Sequence, residues 1–572
     1  LSLQMYRKER GKMRRRDFTL SLGLGVAAFA RPGLLAAEVA HSATRITTSP
    51  KPNILLILAD DMGYSDIRCY GGEIDTPNLD ALAANGVRFA QHYSTGRCWP
   101  SRACILTGYY AQNIRRDRMR GGGMGRRPAW APLVPELLKP YGYHSYHSGK
   151  WHLDGNPRHN GFERSWGSES NGCDWDRFFA SRPWQEDGVK APVKPGEEYY
   201  STVAVADHAV QCLKLHKQKH DGQPFFQYVA FYSPHFPLHA LQKDIDKYRD
   251  AYNEGWDVIR DRRLNRMKKM GLVDCELSSR HEDIKPPWNL NGAGLKQRIG
   301  PGEVPYAIAW DKLDEAEKKL QATKMAIHAA MIHRMDAEIG RLVKQLKEMG
   351  AYENTLILFA SDNGASAEQI IRGDRHDKSA PLGSAKSYLC LGPGWATAAN
   401  TPFRLHKHWN HEGGISSPLI AHWPKGIAAR GELRHDPTHF VDVLPTALAA
   451  VGGKLSDTHK GFKVPPKPGV SLLPAFEKDG VLGERTLWWC HEGNQAIRKG
   501  DWKLTMRIGN KNRWELYDLA EDRSETKDLS AKHPEKVQLL AKEWEAVAQR
   551  FRDDLKAPGS GKPSPKRKRG KK

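Results

Sequence analysis

Four short apolar runs in this 572-residue chain each stop at residues that can do chemistry. Asn53-Ile-Leu-Leu-Ile-Leu-Ala59 stops at Asp60-Asp61, and Thr355-Leu-Ile-Leu-Phe-Ala360 stops at Ser361-Asp362-Asn363-Gly364. Phe225 to Tyr232 stops at Ser233-Pro234-His235, and Tyr141 to Tyr146 leads into Ser148-Gly149-Lys150-Trp151-His152. Together these ends bring three carboxylates, an Asn, two His and a Lys. A further segment, Cys98-Trp99-Pro100-Ser101-Arg102, puts a thiol where Pro100, followed by Ile105 and Leu106, signals a helix start. Free N–H groups and the helix dipole favour an anion there. Taken alone, the commoner reading of Cys98 is a buried structural cysteine.

The elements that must position these residues follow from the patterning. Each apolar run is too short for a helix and reads as a strand buried on both faces. In an open parallel sheet, ligands gather beyond the carboxyl ends of the strands, where all the polar groups above would lie. Met331, Met335, Ile339, Leu342, Val343 and Leu346 recur at three- and four-residue spacing and predict an amphipathic helix feeding the Thr355 strand. This alternation predicts an α/β domain, a large and mainly parallel sheet with helices on both faces. His328 and His333 on that helix read as packing or surface residues. The polar segment from Leu238 to Lys318 reads as an insertion with short helices over the sheet. Beyond Leu472, short strand patterns such as Trp502-Lys-Leu-Thr-Met and Trp514-Glu-Leu-Tyr-Asp predict a small antiparallel sheet, closed by a helix over 537–551.

Composition narrows the function class. Hydrophobic residues at 39% and charged residues at 27% exclude wholesale disorder and a multi-span membrane protein. The net charge of +22 is concentrated at the ends: residues 1–44 contribute +5 and residues 556–572 contribute +8, leaving +9 for the body. That body suits an anionic substrate and does not call for nucleic acid. Arg15, Arg16 and Phe18, the apolar run Ser21 to Ala30 and the small residues Leu35-Ala36-Ala37 predict a twin-arginine signal peptide over residues 1–37. The expected partner is the twin-arginine export machinery and the expected destination the bacterial periplasm or exterior, with Met13 as the true start. The apolar run falls short of the ~20 residues of a spanning helix, so no stable membrane insertion is expected. Eight cysteines with no Cys-x-x-Cys pair argue against a structural zinc site of paired cysteines, and an oxidising destination would permit one or two disulfides. The expected organisation is a catalytic domain over 50–470, a C-terminal subdomain over 471–555 and a disordered basic tail over 556–572.

In order along the chain, Asp60-Asp61, Cys98-x-Pro-Ser-Arg102, Gly149-Lys150-Trp151-His152, Pro234-His235-x-Pro237, Asp362-Asn363-Gly364 and Lys407 before Glu412-Gly413-Gly414 form a constellation. It resembles the type I sulfatases, the formylglycine-dependent branch of the alkaline phosphatase superfamily, over about residues 50 to 550. The resemblance implies that a formylglycine-generating enzyme oxidises Cys98 to formylglycine (3-oxoalanine). One hydroxyl of the aldehyde hydrate would attack sulfur, and the other would lose its proton as the aldehyde re-forms and sulfate leaves. Asp60, Asp61, Asp362 and Asn363, with residue 98, would hold Ca²⁺ in preference to Mg²⁺. Arg102 and Lys150 would neutralise charge at the nucleophile and Lys407 would hold sulfate oxygens. His152 would take the hydrate's proton, and His235 would protonate the leaving alkoxide. Lys150 and His152, two residues apart, would face one side of an extended segment. Glu412 reads as structural. Trp99 is bulkier than the residue common in the maturation motif. The implied substrate is a sulfated carbohydrate or aryl sulfate. A phosphonate monoester or phosphodiester hydrolase, and a non-catalytic polyanion binder, stay open as alternatives.

Overall fold

The computed structural model describes residues 51–167, 184–191, 199–373, 375–511 and 513–562. The expected signal peptide, Cys173 and Asp374 lie outside the described residues.

A ten-stranded sheet runs in the order Glu432–Arg434, Val87–Phe89, Leu419–His422, Thr355–Ser361, Asn53–Ala59, Phe225–Ala230, His144–Gly149, Arg164–Gly167, Trp184–Glu186 and Val189–Ala191. The five strands from Thr355–Ser361 to Arg164–Gly167 are parallel, and antiparallel pairs flank them on both sides. All four apolar runs therefore become neighbouring parallel strands. Alternate residues serve opposite cores: Leu55 and Ile57 pack on one face, and Ile54, Leu56 and Leu58 on the other.

The first face is covered by the helices Ser201–Lys219 and Glu315–Glu348. The second begins at an Asp314–Glu317 capping box and carries Met331, Met335, Ile339 and Leu342 into the core. His328 on this helix is buried against Asp66 at 3.0 Å, and His333 bonds the Asp75 carbonyl at 2.9 Å, so both are packing residues. The expected insertion supplies helices Gln242–Asp246, Gly255–Lys269 and Gly292–Arg298. Its charge is absorbed by pairing: buried Arg263 meets Asp66 at 2.8 Å and Glu73 at 2.7 Å.

The second face holds helices Cys98–Thr107 and Val443–Ala450. Against it sits a four-stranded antiparallel sheet, Thr486–His491, Asn494–Lys499, Trp502–Met506 and Trp514–Asp518, with helix Pro534–Asp554. Trp488, Ile497, Leu504, Leu516 and Trp544 join the same core as the central strands.

Two expectations need correction. Disorder from residue 556 does not hold as far as residue 562. Arg115 Nε donates to the Ser560 carbonyl at 3.1 Å, Trp130 Nε1 donates to Ser560 Oγ at 2.9 Å, and the Ala129 N–H donates to the Gly559 carbonyl at 2.8 Å. These buried donors need acceptors, and the Gly559–Ser560 turn supplies them; residues 563–572 lie outside the described residues. The segment Lys150–His152 is also not extended, because His152 sits at φ +53°. Among the described residues the seven cysteines are all free thiols, and no helix is long and apolar enough to cross a membrane.

Candidate active site

The carboxyl ends of the parallel strands deliver the polar residues to one buried place. The Asp60 N–H donates to the Ser233 carbonyl at 3.0 Å, and the Asp362 N–H donates to the Ala59 carbonyl at 3.1 Å. The Lys150 N–H donates to the Ala230 carbonyl at 2.8 Å. Gly149, at φ +105°, allows that approach, since a Cβ there would collide with the Ala230 carbonyl. Gly364 is tight for the same reason: a Cβ would strike the Gly413 carbonyl, so the Asp362-Asn363 loop and the Glu412-Gly413-Gly414 turn touch backbone to backbone.

Four oxygen-bearing side chains meet here. Asp61, held at φ +65°, accepts from Asn363 Nδ2 at 2.7 Å through Oδ1, and its N–H donates to Asp362 Oδ1 at 3.3 Å. Asp60 Oδ1 and Asn363 Oδ1 are buried and have no hydrogen-bond partner. Buried oxygens normally find one. One ligand atom each from Asp60, Cys98 and Asp362 falls within 4.8 Å of the other two. Burial, reinforced for Asp60 by Asp362, raises the carboxyls of Asp60 and Asp61, and the neighbouring cations act in the opposite direction. The donor set is oxygen-rich, charged and incompletely hydrogen-bonded, which fits a hard divalent cation.

Cys98 is the first residue of its helix, after Arg97 at the cap, and it is fully buried. Burial pushes its thiol up, against the pull of Lys150 and Lys407. One turn on, Arg102 donates through Nε and Nη2 to Asp362 Oδ2 at 2.9 and 2.7 Å, and through Nη1 to the Lys150 carbonyl at 2.9 Å. The Trp99 ring packs edge-on to His152 at 5.8 Å and to His491 at 5.2 Å. The bulk of this residue is therefore accommodated in the wall.

Lys150 Nζ pairs with Asp60 Oδ2, and despite burial Asp60 holds its pKa above the ordinary value. Lys407 Nζ lies 2.7 Å from Asp61 Oδ2, 3.1 Å from Glu368 Oε2 and 3.3 Å from His235 Nε2. His235 Nδ1 lies 2.6 Å from its own chain's Phe236 carbonyl, which fixes that nitrogen as the donor. The other nitrogen, Nε2, therefore faces Asp61 and Lys407. Burial, then Lys407, pushes His235 well below the usual imidazole range; burial, then Lys150, does the same to His152. Glu412 lies aside, accepting from Lys503 at 2.8 Å and from Tyr93 at 2.9 Å in the C-terminal contact.

The structure thus brings together Asp60, Asp61, Cys98, Arg102, Lys150, His152, His235, Asp362, Asn363 and Lys407. It adds Glu368, which the sequence reading passed over. Buried Glu368 receives Arg97 Nη2 at 3.0 Å, Trp288 Nε1 at 2.9 Å and Lys407 Nζ at 3.1 Å. Burial opposes its charge, but Arg97 and Lys407 hold it well below the ordinary carboxylate range. A carboxylate six residues beyond Asp362 carries no spacing signal of its own.

Residues 52–453 match the Sulfatase family. The chain belongs to that family. This places it in the alkaline phosphatase-like superfamily and makes it a sulfuric ester hydrolase. An uncharacterized sulfatase of Schizosaccharomyces pombe is 32% identical over 87% of this chain and 93% of its own length. An arylsulfatase of Klebsiella aerogenes is 29% identical over 77% and 94%. Among solved structures, Ps i-CgsB in complex with k-i-k-neocarrahexaose is 25% identical and covers 88% of this sulfatase and 93% of that chain, with a TM-score of 0.60.

Proposed function

We propose that this sulfatase is an exported enzyme that removes sulfate from a sulfated carbohydrate or an aryl sulfate, with residue 98 as formylglycine and Ca²⁺ on Asp60, Asp61, Asp362, Asn363 and residue 98. The observation that carries this is the pair of orphaned buried oxygens, Asp60 Oδ1 and Asn363 Oδ1, beside Cys98 at a helix N-terminus. The bound oligosaccharide in the Ps i-CgsB structure supports a glycan substrate. Ca²⁺, once bound, polarises a sulfate oxygen and lowers the pKa of the attacking hydroxyl.

The protein's own residues do the rest. Lys150 and Lys407, both held protonated and both close enough to act on the Cys98 thiol, would neutralise charge that builds on sulfate oxygens during attack. Arg102 keeps Asp362 pointed at the metal position. The negative charge of a bound sulfate ester would favour the doubly protonated form of His235, whose Nε2–H would then pass to the departing alcohol oxygen while Nδ1–H stays on the Phe236 carbonyl. His152, which burial and Lys150 keep well below the usual imidazole range, would accept a proton from the second hydroxyl that a hydrated formylglycine at residue 98 would supply. Burial of the whole set excludes water that would weaken each of these charges.

The test is the mass of the peptide spanning Cys98 to Arg102, from protein made with a formylglycine-generating enzyme, alongside kcat/KM for matched aryl sulfate and aryl phosphonate. A thiol-to-aldehyde mass loss with a strong sulfate preference is expected. An unmodified Cys98 in fully active protein would overturn the nucleophile assignment, and a phosphonate preference would overturn the substrate assignment.

A further inference from the structure

Next to the catalytic residues lies a second cluster that the hydrolysis does not use. The residue after Lys407 is His408, and across from it the strand Thr486–His491 ends in a tight turn at Glu492-Gly493. His408 Nδ1 lies 3.4 Å, and His491 Nε2 3.8 Å, from the same oxygen, Glu492 Oε2. One ligand atom from each of the three residues falls within 4.8 Å of the other two. The edge of a tetrahedron of ligands about 2.05 Å from a zinc ion is ~3.3 Å, so small rotamer shifts would close this triangle on one ion. Both histidines are buried, and neither facing nitrogen makes a well-formed hydrogen bond.

Two further features point to a ligand. The first is the partner on the far side of His491: Nδ1 lies 2.8 Å from Oδ2 of buried Asp117, which also accepts from Gln112 Nε2 at 3.0 Å. A carboxylate that accepts a hydrogen bond from Nδ1–H leaves Nε2 with its lone pair presented, the arrangement that orients metal-binding histidines. The second is backbone conformation. His408 has φ +93° and Glu492 φ +46°, so two of the three ligand candidates sit on left-handed backbone that non-glycine residues seldom adopt. Glu492, half-exposed and on the rim of an ≈ 860 Å³ cavity with Arg118, Cys490 and Trp514, leaves a path for an ion.

We propose that His408, His491 and Glu492 bind a divalent transition-metal ion, Zn²⁺ or one of similar preference, with solvent in the remaining position. Two imidazoles and one carboxylate select such an ion over Ca²⁺, whose ligands are oxygens. Bound there, the ion clips the segment carrying Lys407 to the C-terminal sheet.

The test uses the chain stripped with EDTA, refilled with Ca²⁺ so that the acidic site is occupied, and titrated with Zn²⁺ by calorimetry; Co²⁺ serves as the spectroscopic probe. One Zn²⁺ equivalent is expected beyond Ca²⁺, with the strong visible absorption of four-coordinate Co²⁺ and a higher melting temperature. His491→Ala and Glu492→Gln should each weaken Zn²⁺ at least tenfold while Ca²⁺ binding is kept, and Asp117→Asn should weaken it by about 10–100-fold. Should His491→Ala not fold, Glu492→Gln at its half-exposed position carries the test. Absence of the extra equivalent, its survival in Glu492→Gln, or its loss in His144→Ala, at the surface cluster with Glu163 and His220, would each overturn the proposal.

Discussion

Both Nε and Nη2 of Arg102 donate to a single carboxylate oxygen, Oδ2 of Asp362, at 2.9 and 2.7 Å, with both side chains fully buried. The remaining oxygen of Asp362 receives the Asp61 N–H at 3.3 Å. The motif arginine therefore acts on the metal-site carboxylate and, through the Lys150 carbonyl, on the neighbouring loop.

Arg102→Lys should accordingly weaken Ca²⁺ binding, because an ammonium keeps the charge and loses the two-pronged hold on Asp362. A loss of about 10–100-fold is expected, the usual effect of disturbing a group that orients a metal ligand. Arg102→Leu should in addition destabilise the protein by about 3–5 kcal/mol, since it strands a buried carboxylate. Calcium titration and chemical denaturation read the two effects separately. Unchanged calcium affinity in Arg102→Lys would remove the orienting role.

Glu368 makes a different kind of prediction, because it touches Lys407 at 3.1 Å and Arg97 at 3.0 Å and lies behind both. If it acts by positioning the Lys407 ammonium, Glu368→Gln should lower kcat/KM by about tenfold or more. Groups that act as one unit do not add. The double variant with Lys407→Met should then be no worse than Lys407→Met alone. Fully additive losses would assign Glu368 an effect independent of Lys407.

The fold and the site were legible to different depths for physical reasons. Strands such as Asn53–Ala59 announced themselves because both faces are buried, which leaves an unbroken apolar run, and the polar residues at their ends then had one place to go. The Cys98 helix was legible from Pro100 and the apolar residues after it. Glu368 and Asp117 were not, because each is defined by partners distant in sequence: Arg97, 271 residues away, and Lys407 for Glu368, and His491, 374 residues away, for Asp117. The bend at His152 (φ +53°) was hidden because no glycine marks it, and the packed Gly559–Ser560 turn was hidden by its likeness in composition to the basic tail.

Stability should fall in mild acid, before the carboxylates titrate. His92, His147 and His406 are buried, and burial lowers each to about 3. Their unfolded value is about 6.5. Between these limits the unfolded chain binds protons that the folded chain does not, so the stabilisation is complete above pH ~6.5 and is lost as pH falls. Each histidine contributes a slope on the order of 1.4 kcal/mol per pH unit within that window. Urea midpoints of the calcium-loaded protein should therefore decline steadily from pH 7 to pH 4.5. A flat profile over that range would show that these imidazoles are solvated or paired.

The general-acid role of His235 is open to a test that turns on the leaving group. Its Nδ1 is committed to the Phe236 carbonyl at 2.6 Å, so only Nε2 can face a departing oxygen, and that atom sits 3.3 Å from Lys407 Nζ and 3.4 Å from Asp61 Oδ2. An alkoxide from a sugar is strongly basic and needs the proton during bond cleavage, whereas a nitrophenolate leaves without it. His235→Ala should therefore cost about 100-fold or more in kcat on a sugar sulfate and under about tenfold on an activated aryl sulfate. A series of aryl sulfates of graded phenol pKa should show a steeper dependence on leaving group in the variant. Equal losses across the series would reassign His235 to holding Lys407, because a cation that stabilises the sulfate oxygens affects every ester alike.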